Sequence, residues 1–270
     1  MPGVFVILTE ATWRGFLLVG KYRRLGHCIG AGGAAEPTRL TSGRVNLSQW
    51  YKIMRLTFVR HGESTANAEG RLQGRAEFEL SDAGRTQARA LHDRFKGEDF
   101  QPTHIYSSPQ RRTAETARIV SASWPLTISY SDDLKEHDIG IFSGLTWSEI
   151  YSRYPEIAAE YEKSGNWDVV EGAETLAQRR SRGSRLVESL LDRHGNDDRV
   201  LVFTHGGILA FMIASLLGTD RTWGLGAQNT GIFDFSLDLE RWSHEGNLLH
   251  NSALWRISRF NDASHVSSVQ

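Results

Sequence analysis

Leu56-Thr57-Phe58-Val59-Arg60-His61-Gly62-Glu63-Ser64-Thr65-Ala66-Asn67 is the stretch from which this chain is read. An apolar, β-prone run stops abruptly at Arg-His-Gly. Small and polar residues suited to a turn and a helix start follow. The pattern predicts a strand that delivers a guanidinium and an imidazole at its carboxyl end, where open α/β sheets bind ligands. Arginine presents a planar fork of donors that fits phosphate oxygens. Histidine near neutral pH is a proton carrier or a nucleophile, and the glycine beside it admits close backbone approach. By itself the segment fits equally well a strand end with a buried structural histidine and a surface arginine.

A second copy of the device tips the balance. Arg199-Val200-Leu201-Val202-Phe203-Thr204 is the most strand-like run in the chain, and it ends in His205-Gly206-Gly207 before an apolar helix. The N–H groups of that helix start favour an anion. A third strand, His104-Ile105-Tyr106, leads to Ser107-Ser108-Pro109, with Pro109 placed in the first helical turn and Arg111-Arg112 just after it. Leu126 to Tyr130 is a further strand, and Glu136 follows it. Two arginines, two histidines and one carboxylate thus converge on one sheet edge. That set suits phosphoryl transfer. The arginines and a protonated histidine would offset phosphate charge. The other histidine would attack phosphorus. A carboxyl group with raised pKa would serve the leaving alcohol and then the incoming water.

Between and beyond these points, Ser81 fits an N-cap, with Gly84 a weak spot early in the helix and Ala88, Leu91 and Phe95 at helical spacing. Residues 146–163 read as helix interrupted at Pro155. A long amphipathic helix spans about Glu174 to His194. Strands near 231–237 and 253–260 close the domain, and a polar tail from Asn261 is expected to fray. Strands alternating with helices predict a three-layer α/β/α sandwich with a mostly parallel central sheet.

The 270 residues divide into an N-terminal extension, 1–53, a domain at 54–261, and a polar tail at 262–270. The extension is rich in Gly, Arg and Thr and lacks periodicity. Its apolar runs are split by Glu10 and Arg14, unlike a secretory signal. A disordered tail, a start assigned too far upstream of Met54, or an organelle-targeting segment all fit. The net charge of −1 argues against a general polyanion surface, so no nucleic-acid partner is expected. The single cysteine, Cys28, excludes an intramolecular disulfide and a cysteine-rich zinc site, and is compatible with a reducing, cytoplasmic setting. No apolar run of about 18 residues is present, so no membrane span is expected. Oligomeric state is left open.

The ordered set Arg60-His61-Gly62-Glu63-Ser64, Asn67, Arg71-Leu72-Gln73-Gly74, Ser107-Ser108-Pro109 with Arg112-Thr113-Ala114, Leu134-Lys135-Glu136 with Gly140 and Gly144, Gly172-Ala173-Glu174-Thr175, and Thr204-His205-Gly206 resembles the histidine phosphatase superfamily, the phosphoglycerate mutase-like proteins. The resemblance runs from about Met54 to Asn261. It implies the phosphoglycerate mutase-like fold, with His61 as the phosphorylated nucleophile and its second ring nitrogen held by a backbone carbonyl, that of Gly62. It further implies a phosphate pocket of Arg60, Arg112, His205 and Gly206, contacts from Asn67 and Gln73, Glu136 as proton donor, and neither metal nor cofactor. The implied activity is hydrolysis of small phosphomonoesters. Arg111 is expected to be a solvated charge, Glu174 an orienting or helix-start residue, and His137 and Asp138 rivals to Glu136. Trp147, Tyr151, Tyr154, Tyr161 and Trp167 read as core or as a substrate lid. His27, His92, His104, His194, His244, His250 and His265 have no matched setting and read as exposed or internally satisfied.

Three rivals remain open. A cofactor-dependent phosphoglycerate mutase would carry an Arg-Arg pair and a proline-rich stretch after the acid, whereas residues 144–172 hold only Pro155. A non-catalytic phosphate binder would have lost the nucleophile or the acid. A metallohydrolase using His61, His205 and Glu136 as ligands is disfavoured because nearby arginines repel a cation.

Overall fold

The computed structural model describes residues 52–222, 224, 226–240 and 255–267. The expectations for residues 1–51, with His27 and Cys28, and for His244 and His250, lie outside the described residues.

Six strands, β1 (Met54–Arg60), β2 (His104–Ser107), β3 (Ile128–Tyr130), β4 (Arg199–Thr204), β5 (Ile232–Leu237) and β6 (Trp255–Asp262), form one sheet in the order β3-β2-β4-β1-β5-β6. The first four in that order are parallel; β5 and β6 run antiparallel at one edge. Central β1 and β4 are covered on both faces, which is why they read as nearly unbroken apolar runs. Alternation along the strands sorts the core into two layers. Leu56, Phe58, Val200 and Val202 pack with α6 (Leu176–Arg193) and α7 (Gly206–Leu216). Val59, Leu201, Phe203 and Ile105 pack with α2 (Asp82–Gly97) and α3 (Arg111–Val120) on the other face. Each fully buried apolar side chain of this size contributes about 1.5–3 kcal/mol. The result is the three-layer sandwich expected, with a mostly parallel sheet.

A third apolar cluster lies outside the sheet. Ile139, Phe142, Ile150, Ala158 and Val170 form its centre. They are contributed by the loop before α4 (Trp147–Arg153), by α4, by α5 (Pro155–Ser164) and by the short 3-10 turn Trp167–Val169. Trp147, Tyr154, Tyr161 and Trp167 pack on it, whereas Tyr151 is exposed. Pro155 starts α5 instead of merely interrupting a helix. The Gly-rich loop contains a 3-10 turn, Gly140–Phe142. Pro109 lies just ahead of the helix it was expected to start: Gln110 is the N-cap of α3. Among the described residues, no helix is long and apolar enough to cross a membrane.

The tail from Asn261 is not frayed within the described residues. β6 continues to Asp262, and α8 (Ser264–Ser267) follows with Ala263 and His265 buried. Arg94 on α2 holds this segment by donating to both oxygens of Asp262, at 3.0 and 2.5 Å.

Gly84 also departs from the sequence reading. It is fixed by close packing: a Cβ there would lie 2.0 Å from the Glu63 carbonyl oxygen, and one on Gly62 would lie 2.7 Å from the Gly84 carbonyl oxygen. Two backbones approach here as only glycines permit. An exposed helical Gly→Ala change stabilises by about 0.5–1 kcal/mol. Gly84→Ala is expected to have the opposite sign, destabilising by about 1–3 kcal/mol, as overpacking does. Urea unfolding at constant m-value measures this, and a stabilised variant would refute the close approach.

Candidate active site

The register of β1 against β4 pairs Arg60 with Thr204, so the next residue of each strand is a histidine beside its counterpart. The His61 amide donates to the Thr204 carbonyl at 3.1 Å. The two rings sit 5.1 Å apart between centroids, tilted by 59°, with His61 2% and His205 0% exposed. His61 Nδ1 lies 2.6 Å from the Gly62 carbonyl oxygen. A carbonyl only accepts, so Nδ1 carries the proton and Nε2 keeps its lone pair. The Gly62 amide in turn donates to Thr116 Oγ1 at 3.0 Å, and that hydroxyl donates to the Arg112 carbonyl at 2.7 Å. Burial, and then the charges of Arg112 and Arg60, hold the His61 pKa well below the ordinary histidine value. The neutral imidazole is therefore the favoured form.

His205 differs from expectation in charge. Its pKa is also held well below the ordinary value, by burial, Arg112 and His61. It is a neutral ring, with Nε2 2.9 Å from Ser108 Oγ and 3.1 Å from Thr113 Oγ1.

Arg60 closes β1. Its Nη1 donates to the Ala227 carbonyl, while its buried Nε has no partner. Arg112, on the first turn of α3, is 0% exposed. It donates from Nη1 to the Ala76 carbonyl and from Nη2 to the Gly74 carbonyl, each at 3.0 Å, and its Nε too is buried without a partner. Among the described residues, no carboxylate accepts a hydrogen bond from either guanidinium. Burial and the proximity of Arg60 push the Arg112 pKa down to about 10, which leaves it a cation at neutral pH. Two buried cations without a carboxylate partner are costly unless an anion joins them. Arg111 is exposed and faces Glu79 at 3.3 Å, the solvated charge expected.

Glu136 sits across the hollow at the start of α7. Its Oε2 accepts from the Gly207 amide, and its Oε1 from the Ile208 amide, both at 2.9 Å. Oε1 also accepts from the His137 amide at 2.8 Å and faces His137 Nδ1 at 3.0 Å. The anion at this helix start is thus the protein's own carboxylate. A Cβ on Gly207 would lie 2.5 Å from Glu136 Oε1. Burial alone would raise this pKa. The charge and hydrogen bond of His137, with the Gly207 amide, outweigh it and hold the carboxyl well below its usual range. These contacts do not give the raised pKa expected from sequence.

A cavity of about 190 Å³ joins Arg60, His61, Arg112 and Glu136, whereas His205, fully buried, does not line it. It is lined by Arg60, His61, Asn67, Arg71, Leu72, Gln73, Gly74, Arg112, Glu136, His137, Ile139 and Trp167. Asn67 and Gln73 reach it as expected, though both also serve the loop. The Asn67 side chain completes a capping box with Ser64 on α1 (Thr65–Ala68), and Gln73 Oε1 accepts from Ser64 Oγ at 2.9 Å. Gly206 does not line the cavity: its backbone packs beside Arg60 and Ala227. Asp138 is also outside it and accepts from the Gly140 amide at 2.9 Å. His137 backs Glu136 and meets the edge of Trp167, with ring centroids 5.6 Å apart.

Several supporting residues carry no local sequence signal. Gln110 donates to the Gly74 carbonyl at 3.2 Å and accepts from the Glu136 amide at 2.8 Å, linking the two loops. Arg182, buried on α6, donates at 2.7 Å to the carbonyls of both Asp133 and Lys135, and to Glu174 at 2.8 and 2.6 Å. Glu174 therefore orients the arginine that anchors the Glu136 loop. Thr230, fully buried at φ +57°, donates its amide to the Arg60 and His61 carbonyls at 3.1 and 3.2 Å. Its hydroxyl lies 2.8 Å from His265 Nε2, so the C-terminal segment buttresses the end of β1.

A sequence profile described as the histidine phosphatase superfamily, branch 1, matches residues 56–246. The metal-independent phosphoserine phosphatase of Arabidopsis thaliana is 31% identical over 222 residues, covering 81% of this chain and 85% of that one. Phosphoserine phosphatase 1 of Hydrogenobacter thermophilus is 32% identical, covering 66% and 83%. The solved mycobacterial glucosyl-3-phosphoglycerate phosphatase superposes with a TM-score of 0.63 at 28% identity, over 77% of this chain and 99% of that one. With the paired histidines, the twin guanidinium groups and this match in hand, the chain belongs to the histidine phosphatase superfamily.

Proposed function

We propose that this phosphoric monoester hydrolase cleaves small phosphomonoesters in two displacements through a phosphohistidine on His61, with Glu136 handling protons and no metal taking part. The observation that carries the reading is the orientation of one neutral imidazole. Nδ1–H is bound to the Gly62 carbonyl, which leaves the Nε2 lone pair for attack, in a hollow with two unpaired guanidinium donors. Phosphate oxygens would take the free Nε–H groups of Arg60 and Arg112. These cations act on charge already present and on charge that shifts in the transition state. His205, held by Ser108 and Thr113, packs against the nucleophile.

In the first displacement, the His61–phosphorus bond forms as the ester P–O bond breaks, and the alcohol leaves with a proton from Glu136. In the second, Glu136 accepts a proton from water as the water oxygen bonds phosphorus and His61 departs. The contacts of Glu136 within the protein favour its ionised form. A phosphate dianion placed beside it raises its pKa by like-charge repulsion, so the proton is taken up as substrate enters. The relatives act on esters of small hydroxy acids, as their names state: phosphoserine and glucosyl-3-phosphoglycerate. A cavity of about 190 Å³ favours substrates of that scale.

Three measurements test this. A phosphate-release screen over phosphoserine, 3-phosphoglycerate, sugar phosphates and nucleotides is expected to find turnover that His61→Ala lowers by more than about 10³-fold. Undiminished hydrolysis in that variant rules out the nucleophile, and isomerisation of phosphoglycerate without release favours a mutase. Glu136→Gln is expected to cost about 10²–10⁴-fold on alkyl phosphates. In kcat/KM, which reads only the first displacement, it should cost far less on p-nitrophenyl phosphate, whose leaving group needs no proton; an equal loss in kcat/KM on both would assign Glu136 a structural role. In wild type, kcat/KM for an alkyl phosphate should fall on the alkaline side with loss of one proton, and Glu136→Gln should lack that limb. His61, held neutral, should add no acid limb near about pH 6.5.

A further inference from the structure

Three of the histidines and acids left without a role gather at the opposite end of the sheet. His104 opens β2, His194 follows the last turn of α6, and Asp198 immediately precedes β4. All three lie at the amino ends of the parallel strands, whereas His61 and His205 follow their carboxyl ends. Among the described residues this is the one group of three or more such side chains whose ligand atoms, one from each, lie within 4.8 Å of one another.

We propose that His104, His194 and Asp198 form a zinc site that clamps the end of α6 to the starts of β2 and β4, apart from the catalytic hollow. The Asp198 carboxylate lies between the two rings, with Oδ1 3.4 Å from His104 Nδ1 and Oδ2 3.2 Å from His194 Nδ1. The carboxylate thus reaches each ring through a different oxygen, at separations near the about 3.3–3.6 Å donor–donor edge of a tetrahedron with ligands at about 2.0–2.2 Å, and one donor atom from each of the three residues lies within 4.8 Å of the others. Two imidazoles and one carboxylate are the donor types that zinc accepts, and they rank calcium and magnesium well behind it.

The surroundings hold the ligands in place. His194, with its side chain 2% exposed, places its other nitrogen, Nε2, 3.0 Å from Tyr106 Oη. Asp198 Oδ2 accepts from the Gly195 amide at 3.0 Å, and Oδ1 from Thr103 Oγ1 at 3.1 Å. The Tyr106 contact to the far nitrogen of His194 is of the kind that fixes ring orientation at metal centres, while His104 Nδ1 faces Thr103 Oγ1 at 3.0 Å. The His104 side chain is 46% exposed, which leaves an entry path and a coordination position for water. Without the ion, protons on the imidazoles satisfy the same carboxylate; zinc binding displaces them.

The test uses the purified full chain, stripped with EDTA and titrated with zinc chloride by calorimetry, with magnesium chloride as control. Wild type and His61→Ala are expected to share a saturable zinc site and a zinc-dependent rise in Tm. His104→Asn, at an exposed position, should fold to the same Tm in EDTA, keep phosphatase turnover, and lose both that binding event and the rise. Cobalt(II) should give intense tetrahedral visible bands in wild type that are missing in His104→Asn. Absence of saturable zinc binding in wild type, or equal binding and equal bands in His104→Asn, would overturn the site.

Discussion

The fully buried Arg112 and the half-buried Arg60 carry guanidinium groups to which, among the described residues, no carboxylate is bonded, and the site is arranged around that imbalance. Burying an unpaired cation is costly. Arg112 has backbone carbonyls for two of its nitrogens and nothing for the third; Arg60 has one carbonyl for a single nitrogen, and its buried Nε is likewise unpartnered. On the proposed reading, a bound phosphate would supply both the missing acceptors and the missing charge. Burial first, and then the same cations, hold the pKa values of both imidazoles down. A pocket built to bind an anion by positive charge would thus also keep its nucleophile uncharged.

The geometry is enforced from several directions. Strand register brings the histidines together, and the Gly62–Gly84 approach sets the turn that carries His61. Arg182 pins the loop bearing Glu136 by its carbonyls, Gln110 joins that loop to the one over Arg112, and Thr230 holds the end of β1. Thr230 adopts a left-handed conformation that is strained for a β-branched residue. Such strain persists where surrounding contacts over-determine it. Here those contacts are two backbone carbonyls and the His265 ring.

What could be read from sequence was what is local. Val59-Arg60-His61-Gly62 and Phe203-Thr204-His205-Gly206 announce strand ends by their apolar runs, and a residue at a strand end has its place fixed by the sheet. Arg112 and Glu136 were legible because each follows a strand by a few residues. Charge state was not legible. Glu136 was expected to be held protonated and His205 charged, yet both depend on tertiary packing: Glu136 on the α7 amides that close on it together with its neighbour His137, and His205 on its burial and on Arg112. Gly206 was misplaced for the same reason, since the helix start that was to greet the phosphate is occupied by Glu136. Gly84 and the C-terminal segment carry no local sign of the backbone or ring that meets them.

The account stands or falls on which atom of which histidine takes the phosphoryl group. The direct measurement is ¹⁵N and ³¹P NMR of the enzyme, labelled at histidine nitrogen and trapped during turnover. One-bond coupling from phosphorus to Nε2 of His61, with the proton still on Nδ1, is the predicted result. Phosphorus on Nδ1, on His205, or on no histidine during turnover would contradict it.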